Sequence, residues 1–136
     1  MKYLIDSNIF LEILLDQNKA QEAKDALSTV EVNDFFASDF TFHSVGVRLF
    51  KEGLFDKFRS LVSEMIDQAG MFILPLHQED TEQLISVATR FNLDFDDAYQ
   101  YVAAEKYNLQ IVSFDSDFDR TERKRFTQQQ VLQTVQ

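Results

Sequence analysis

Three aspartates stand at places in the sequence where a folded chain gathers ligands. Asp6 follows the apolar segment Tyr3-Leu4-Ile5, and Asp115 follows Ile111-Val112-Ser113-Phe114. Asp97 lies in the first turn of a predicted helix. Short apolar segments of this kind indicate buried strands, and open α/β sheets bind ligands at the carboxyl ends of their strands. We therefore expect Asp6 and Asp115 to converge at one edge of a sheet, with Asp97 beside them.

Several carboxylates at one place repel one another unless a proton or a cation is present. Mg²⁺ and Mn²⁺ prefer hard oxygen ligands, so they fit a site made of aspartates. Such an ion polarises a phosphodiester and lowers the pKa of a bound water molecule. The three aspartates therefore indicate metal-assisted hydrolysis.

Each aspartate also has an ordinary structural explanation. Asp6 can cap a helix that begins near Ile9. Asp94 can cap the helix that contains Asp97, because acids in a first turn are stabilised by the helix dipole. Asp115 can belong to a solvated acidic turn. The placement of all three at predicted strand ends and a helix start favours the metal site.

The acidic run after the last inner strand does not fit a calcium loop. Asp115, Asp117 and Asp119 occupy positions 1, 3 and 5 of an EF-hand pattern. Arg120 stands where that loop requires glycine, and Phe126 stands where it requires glutamate. P-loop and dinucleotide-binding glycine patterns are also absent from the sequence.

The pattern of elements predicts an α/β domain that covers residues 1–136. Pro75 is the single proline and glycines number three, so the sequence offers no linker. Short strands alternate with helices, which favours a three-layer helix–sheet–helix arrangement around a mostly parallel sheet. The predicted strands are Lys2–Ile5, Phe35–Ala37, Met71–Leu74, Leu109–Phe114 and Val131–Val135. The predicted helical stretches include Ile9–Leu14, Ala20–Val30, Leu54–Ala69, Leu84–Phe91 and Asp96–Tyr107. A further predicted helix is capped by Ser38 or Asp39 and carries Phe42, Val45 and Leu49 on one face.

Composition excludes several classes of protein. The net charge of −10 excludes a nucleic-acid binder that relies on a basic stripe, although contact through metal ions stays open. The sequence has no cysteine, which excludes disulfides and thiolate sites. It has no apolar run of the roughly 18 residues that a membrane span needs, and an acid follows the first apolar residues too early for a signal peptide. We expect a cytoplasmic protein without membrane contact.

The quoted motifs, taken together, resemble those of the PIN domain family. The resemblance is carried by Tyr3–Glu12, by Asp97-Ala98 with the following Ala103-Ala104, and by Ile111–Phe118. This family contains small Mg²⁺- or Mn²⁺-dependent ribonucleases, many of them toxins of toxin–antitoxin pairs. The resemblance thus implies a PIN-like fold, RNA as the substrate and an antitoxin protein as a partner.

The resemblance also implies roles for individual residues. Asp6, Asp97 and Asp115 correspond to the first, third and fourth acids of the family, which hold the metal and carry catalysis. Asp117 assists them at the metal. The supporting polar positions are Asn8, Ser44 and Ser113.

One position departs from the family pattern. The second acid is usually a glutamate six positions beyond a serine that starts the helix, and counting from Ser38 gives Ser44. Glu52 lies about two helical turns further on, and His43 is a neighbouring metal or phosphate ligand candidate. Three carboxylates still suffice for one ion. The departure leaves a second hypothesis open, a non-catalytic PIN domain that binds RNA or a protein.

Substrate contact and self-association complete the expectations. Arg120, Arg123, Lys124 and Arg125 directly follow the acidic motif, where they can hold the backbone of a single strand. The phenylalanine-rich stretch Leu54–Ala69 allows a homodimer. A receiver-type phosphoacceptor domain also places aspartates at strand ends. It would want an acidic pair near the first strand and a lysine after the last inner strand, and this sequence has Asp115-Ser116-Asp117 there instead.

Overall fold

The computed structural model describes residues 2–28 and 35–133. Four short strands form one sheet in the order β3-β2-β1-β4, and every pairing is parallel. The strands are β1 (Tyr3–Ile5), β2 (Phe35–Ser38), β3 (Phe72–Leu74) and β4 (Gln110–Val112). The prediction of a parallel α/β sheet is confirmed.

Helices cover both faces of this sheet. The α-helices are α1 (Ser7–Leu14), α2 (Ala20–Ser28), α3 (Asp39–Lys51), α4 (Phe55–Ser60), α5 (Thr81–Phe91), α6 (Phe95–Tyr107) and α7 (Gln128–Gln133). A π-helical segment, Leu61–Gln68, continues α4, and 3₁₀ turns occupy Gln78–Asp80 and Ser116–Arg120.

The core consists of two apolar clusters, one on each side of the sheet. Successive side chains of a strand point to opposite faces. Accordingly, Tyr3 and Ile5 join the cluster with α1, α2, α3 and α7, whereas Leu4 joins the cluster with α5 and α6. Val112 and Ile111 divide in the same way. The three-layer prediction is confirmed.

The predicted strand Val131–Val135 is wrong within the described residues. Gln128–Gln133 is helix α7. Its start is fixed by a reciprocal pair of hydrogen bonds: the Gln130 N–H donates to Thr127 Oγ1 at 3.2 Å, and the Thr127 N–H donates to Gln130 Oε1 at 2.7 Å. This capping box nucleates a helix in a run of good helix formers. Val135, like Val30 at the predicted end of the second helix, lies outside the described residues.

The predicted strand Leu109–Phe114 is shorter in the structure, because β4 ends at Val112. Ser113 and Phe114 leave the ladder: the Ser113 N–H donates to the Phe126 carbonyl at 3.1 Å, and the Phe114 N–H donates to Asn8 Oδ1 at 3.2 Å. Asp115 therefore lies three residues beyond the strand rather than directly at its end.

The amphipathic stretch Leu54–Ala69 is helical, as its periodicity predicts, but it changes from α to π geometry at Leu61. In the described part of the chain, no helix is both long and apolar enough to cross a membrane. The carboxyl ends of the parallel strands share one edge of the sheet, and the residues that follow β1, β2 and β4 meet there.

Candidate metal centre at the carboxyl edge of the sheet

Asp6 is a buried acid surrounded by hydrogen-bond donors. Directly after β1, it caps α1, and its Oδ1 accepts from the Ser7 N–H at 2.8 Å. The same oxygen accepts from Gln100 Nε2 at 2.9 Å, while Oδ2 accepts from Ser113 Oγ at 2.7 Å. Burial raises the pKa of Asp6, and the bonds from Ser113, Gln100 and Ser7 oppose that shift. Asp6 therefore both caps α1 and lies at the carboxyl edge of the sheet.

Asn8 and Ser113 join the region after β1 to the region after β4. Asn8 Nδ2 donates to Ser113 Oγ at 3.1 Å, and its Oδ1 accepts the Phe114 N–H. Ser113 Oγ also accepts the Asp115 N–H at 2.9 Å. One serine hydroxyl thus touches both Asp6 and the backbone that carries Asp115.

Asp97, Asp115 and Asp117 form a compact group that we call the acid cluster. Each offers a carboxylate oxygen, and these three oxygens lie within 4.8 Å of one another. Asp97 stands in the first turn of α6, where its N–H donates to the capping Asp94 at 2.9 Å. The Asp117 N–H donates to Asp115 Oδ1 at 2.8 Å, which holds the turn that carries both.

The electrostatics of the acid cluster differ from those around Asp6. Burial raises the pKa of Asp97 to about 8, and the charges of Asp115, Asp94 and Asp6 add to the shift. A side-chain hydrogen bond to Asp115 acts in the same direction. Such a shift means that the cluster favours a bound proton or cation over free negative charge.

The donor set of the acid cluster fits a divalent cation. Its three oxygens are hard ligands, and their separation is comparable with two Mg²⁺–oxygen bonds of about 2.1 Å each. Asp6 lies outside this group of three, yet its charge reaches Asp97 and Asp115. All three sequence-predicted acids thus gather at one edge, with Asp117 beside them.

The position of the expected second acid is a serine and supplies no carboxylate to the acid cluster. Ser44 is half-buried on α3, and no hydrogen bond of its side chain occurs among residues 2–28 and 35–133. His43 is exposed, and its ring lies 5.8 Å from that of Phe42, outside the acid cluster. One turn earlier, α3 presents Thr41 to the site instead.

Two polar residues of this region, Gln100 and Thr41, are not among the site residues that the sequence predicts, and Ser38 is predicted only as a helix cap. Gln100 is buried, and its Nε2 donates both to Asp6 and, through a short hydrogen bond, to Thr41 Oγ1. Ser38 Oγ donates to Gln100 Oε1 at 2.8 Å. A signal was available: Gln100 is one helical turn beyond Asp97 and is directly followed by the apolar run Tyr101–Ala104.

The basic residues after the acidic motif do not form one surface. Arg120 donates to Asp117 at 3.0 Å and to the Asn92 carbonyl at 2.7 Å, beside the acid cluster. Arg125 pairs with Asp119 at 3.2 Å and donates to the Ser113 carbonyl at 3.1 Å.

The other two basic residues differ in position and freedom. Arg123 donates to the Leu109 carbonyl at 3.0 Å, before β4, and therefore lies at the opposite edge of the sheet from the acid cluster. Lys124 is exposed, and its ammonium group has no ion pair or hydrogen bond within the described part of the chain. Two of the four expected contacts, Arg120 and Arg125, are thus held beside the site by acids and carbonyls, and Lys124 alone is free.

The sequence profile of the PIN domain matches residues 3–124. A search by sequence among curated proteins finds no match. The motifs that carry the sequence resemblance fall within or close to the matched range.

Several solved structures share the fold. A toxin–antitoxin complex from Klebsiella pneumoniae contains a chain 22% identical to this one, with 90% of this chain and 94% of that chain covered and a TM-score of 0.72. VapC20 of Mycobacterium tuberculosis is 14% identical over 87% of this chain and 93% of its own, with a TM-score of 0.73. FitAcB of Neisseria gonorrhoeae is 18% identical over 92% and 95%, with a TM-score of 0.70.

Proposed function

The chain belongs to the PIN domain family, and we propose that it is a Mg²⁺- or Mn²⁺-dependent endoribonuclease. The observation that carries this proposal is the acid cluster beside Asp6 at the carboxyl edge of the sheet. VapC20, which shares the fold, is described as a toxin that cleaves the sarcin–ricin loop, which supports RNA as the substrate. The described domain acts as one unit in the cytoplasm, where RNA and divalent cations are both present.

The side chains divide the work of the proposed reaction. Asp97, Asp115 and Asp117 hold the ion, and Asp6 completes the negative edge that faces it. A Mg²⁺ ion held there would polarise the phosphodiester of the substrate and lower the pKa of a water molecule. Ser113 and Asn8 hold the Asp6 carboxylate and the backbone at Asp115 in fixed relative positions.

A protein partner is the second part of the proposal. One of the structural neighbours is described as a toxin–antitoxin complex, which supports an antitoxin for this chain. The surface that suits such a partner, or a second copy, lies on α3 and α4, where Val47, Phe50 and Phe55 are exposed. Apolar side chains grouped in this way commonly mark interfaces.

A second candidate function is a PIN domain that binds RNA without cutting it. The observation that favours it is Ser44, which replaces an acid and leaves the site with fewer carboxylates. The two functions differ in a single readout, the metal-dependent cleavage of RNA.

The test is cleavage of end-labelled single-stranded RNA by the purified protein with Mg²⁺, with Mn²⁺ and with EDTA. We expect products only with metal, and a loss larger than about 100-fold in Asp115→Asn, because removing a metal ligand exceeds the 10–100-fold effect of an outer partner. Asp119→Asn is the matched control: this acid lies in the same turn but outside the acid cluster, so activity should stay within about 3-fold. Equal activity in Asp115→Asn, or cleavage in EDTA, would overturn the proposal.

A further inference from the structure

We infer that Gln100 is a positioning residue of the proposed nuclease site, because its side-chain amide sets the orientation of the Asp6 carboxylate. The inference rests on the proposed function and deepens it. Gln100 lies in α6, one turn beyond Asp97, and it is 1% exposed. Its amide is therefore sealed away from RNA, and any effect on the reaction passes through its neighbours.

The hydrogen bonds allow only one orientation of this amide. An ionised carboxylate can only accept hydrogen bonds, so the atom that faces Asp6 Oδ1 at 2.9 Å must be Nε2. The carbonyl oxygen then faces Ser38, whose hydroxyl donates to it at 2.8 Å. The second amide proton points to Thr41 Oγ1. Both ends of the side chain are thus fixed by partners on β2 and α3.

This arrangement links three elements at the site. Ser38 ends β2, Asp6 follows β1, and Gln100 stands on α6 between them. Gln100 also lies on the helix that carries Asp97, so its hydrogen bond joins Asp6 directly to that helix. This bond is separate from the one by which Ser113 joins Asp6 to the segment that carries Asp115.

The choice of an amide over an acid has an electrostatic consequence. A carboxylate at position 100 would face Asp6 with acceptors only and would repel it. The neutral amide donates to Asp6 without adding charge, so it supports the ionised form in a buried place. Because Ser44 stands at the position of the expected second acid, the site has few carboxylates. The uncharged amide of Gln100 orients one of them, Asp6.

The test compares two buried glutamines. Gln100→Met keeps the length of the side chain and removes its donors. Gln128→Met is the matched control. Gln128 lies on α7, away from the acid cluster, is 5% exposed, and donates to Glu22 on α2 at 2.8 Å. Both variants should lose thermal stability, because each loses a buried hydrogen bond. Mn²⁺ affinity is measured by titration calorimetry, and kcat and KM are measured on single-stranded RNA.

We expect Gln100→Met to weaken Mn²⁺ binding or kcat by about 10–100-fold, the usual effect of removing an outer partner of a metal ligand. KM for RNA should stay unchanged, because the side chain is sealed from the substrate. Gln128→Met should match the wild type in all three quantities. Wild-type Mn²⁺ affinity and kcat in Gln100→Met, or equal losses in Gln128→Met, would overturn the inference.

A milder variant keeps the inference testable if Gln100→Met does not fold. Thr41→Val preserves the β-branched shape and removes an acceptor of the Gln100 amide, although Thr41 has no hydrogen bond to Asp6. We expect the same direction of change with a smaller size, and unchanged Mn²⁺ affinity would count against the positioning role. If the wild type binds Mn²⁺ but cuts no RNA, the proposed nuclease function fails, while the ratio of Mn²⁺ affinities still decides the role of Gln100.

Discussion

Asp6 and Asp97 are two buried acids on the same edge of the sheet, but their hydrogen-bond partners and neighbouring charges differ. Asp6 receives hydrogen bonds from Ser7, Gln100 and Ser113. Asp97 faces mainly other acids, and burial together with their charges raises its pKa to about 8. The hydrogen bonds to Asp6 orient and stabilise its carboxylate, whereas the carboxyl group of Asp97 favours a bound proton or cation. The exposure of the two acids does not reveal this difference, since both are 7% exposed.

The largest expected change in stability comes from removing the Asp6 carboxylate. Asp6→Ala removes the cap of α1 and leaves the Gln100 and Ser113 donors buried without their acceptor. A lost cap costs about 1 kcal/mol, and each buried unsatisfied donor adds about 1–3 kcal/mol. We expect the free energy of unfolding to fall by roughly 3–7 kcal/mol in urea denaturation. A variant as stable as the wild type would show that these bonds contribute nothing.

Asp97→Asn is expected to raise the free energy of unfolding of the metal-free protein, whereas Asp6→Ala lowers it. Above about pH 8, where Asp97 is ionised, the substitution removes one charge from a repelling group and keeps a side chain that can donate to Asp115. At about pH 9 in EDTA, we expect a gain of about 1 kcal/mol and a Tm several degrees higher, since 1 kcal/mol shifts Tm by about 2–8 °C in domains of this size. Melting by circular dichroism measures it. A lower Tm in EDTA would contradict the repulsion that we assign to the acid cluster.

A pH dependence of stability follows from the pKa of Asp97. The folded-state pKa is about 8 and the ordinary value is 3.8, so between these pH values the folded protein keeps a proton that the unfolded chain has lost. Stability of the metal-free protein must then fall as pH rises through this window and level off above about pH 8. Burial of Asp6 raises its pKa and adds to the same slope.

Melting in EDTA at several values between pH 5 and 9 measures this dependence. Asp97→Asn serves as the control and should flatten the decline. Saturating Mn²⁺ should also weaken it, because a metal competes with protons for the same oxygens. A metal-free stability that rises across the window, or an undiminished slope in Asp97→Asn, would show that Asp97 does not carry the proton.

Much of the fold was readable from local signals. The parallel sheet follows from short apolar segments that alternate with amphipathic helices, and Ser38 and Asp94 cap helices as predicted. The predicted strand at Val131 failed because the Thr127–Gln130 capping box outweighs two valines spaced four apart. Local hydrogen bonds at a helix start are a stronger signal there than apolar spacing.

The candidate site was readable only in part. Strand ends and a helix start indicate where Asp6, Asp97 and Asp115 lie, because parallel topology brings such positions together. The partners of each acid depend on tertiary packing, so Gln100 and Thr41 could not be paired with Asp6 from sequence alone. The same holds for Arg123, which packing carries to the opposite edge although it is close to the acidic motif in sequence.

Titration calorimetry with Mn²⁺ tests the central claim most directly. We expect the wild-type protein to bind Mn²⁺ in the micromolar to millimolar range, Asp115→Asn to lose this binding and Asp119→Asn to keep it. Release of protons on binding should accompany the heat, because Asp97 holds one near neutral pH. No binding by the wild type at millimolar Mn²⁺, or equal binding by Asp115→Asn, would contradict a metal centre at this edge of the sheet.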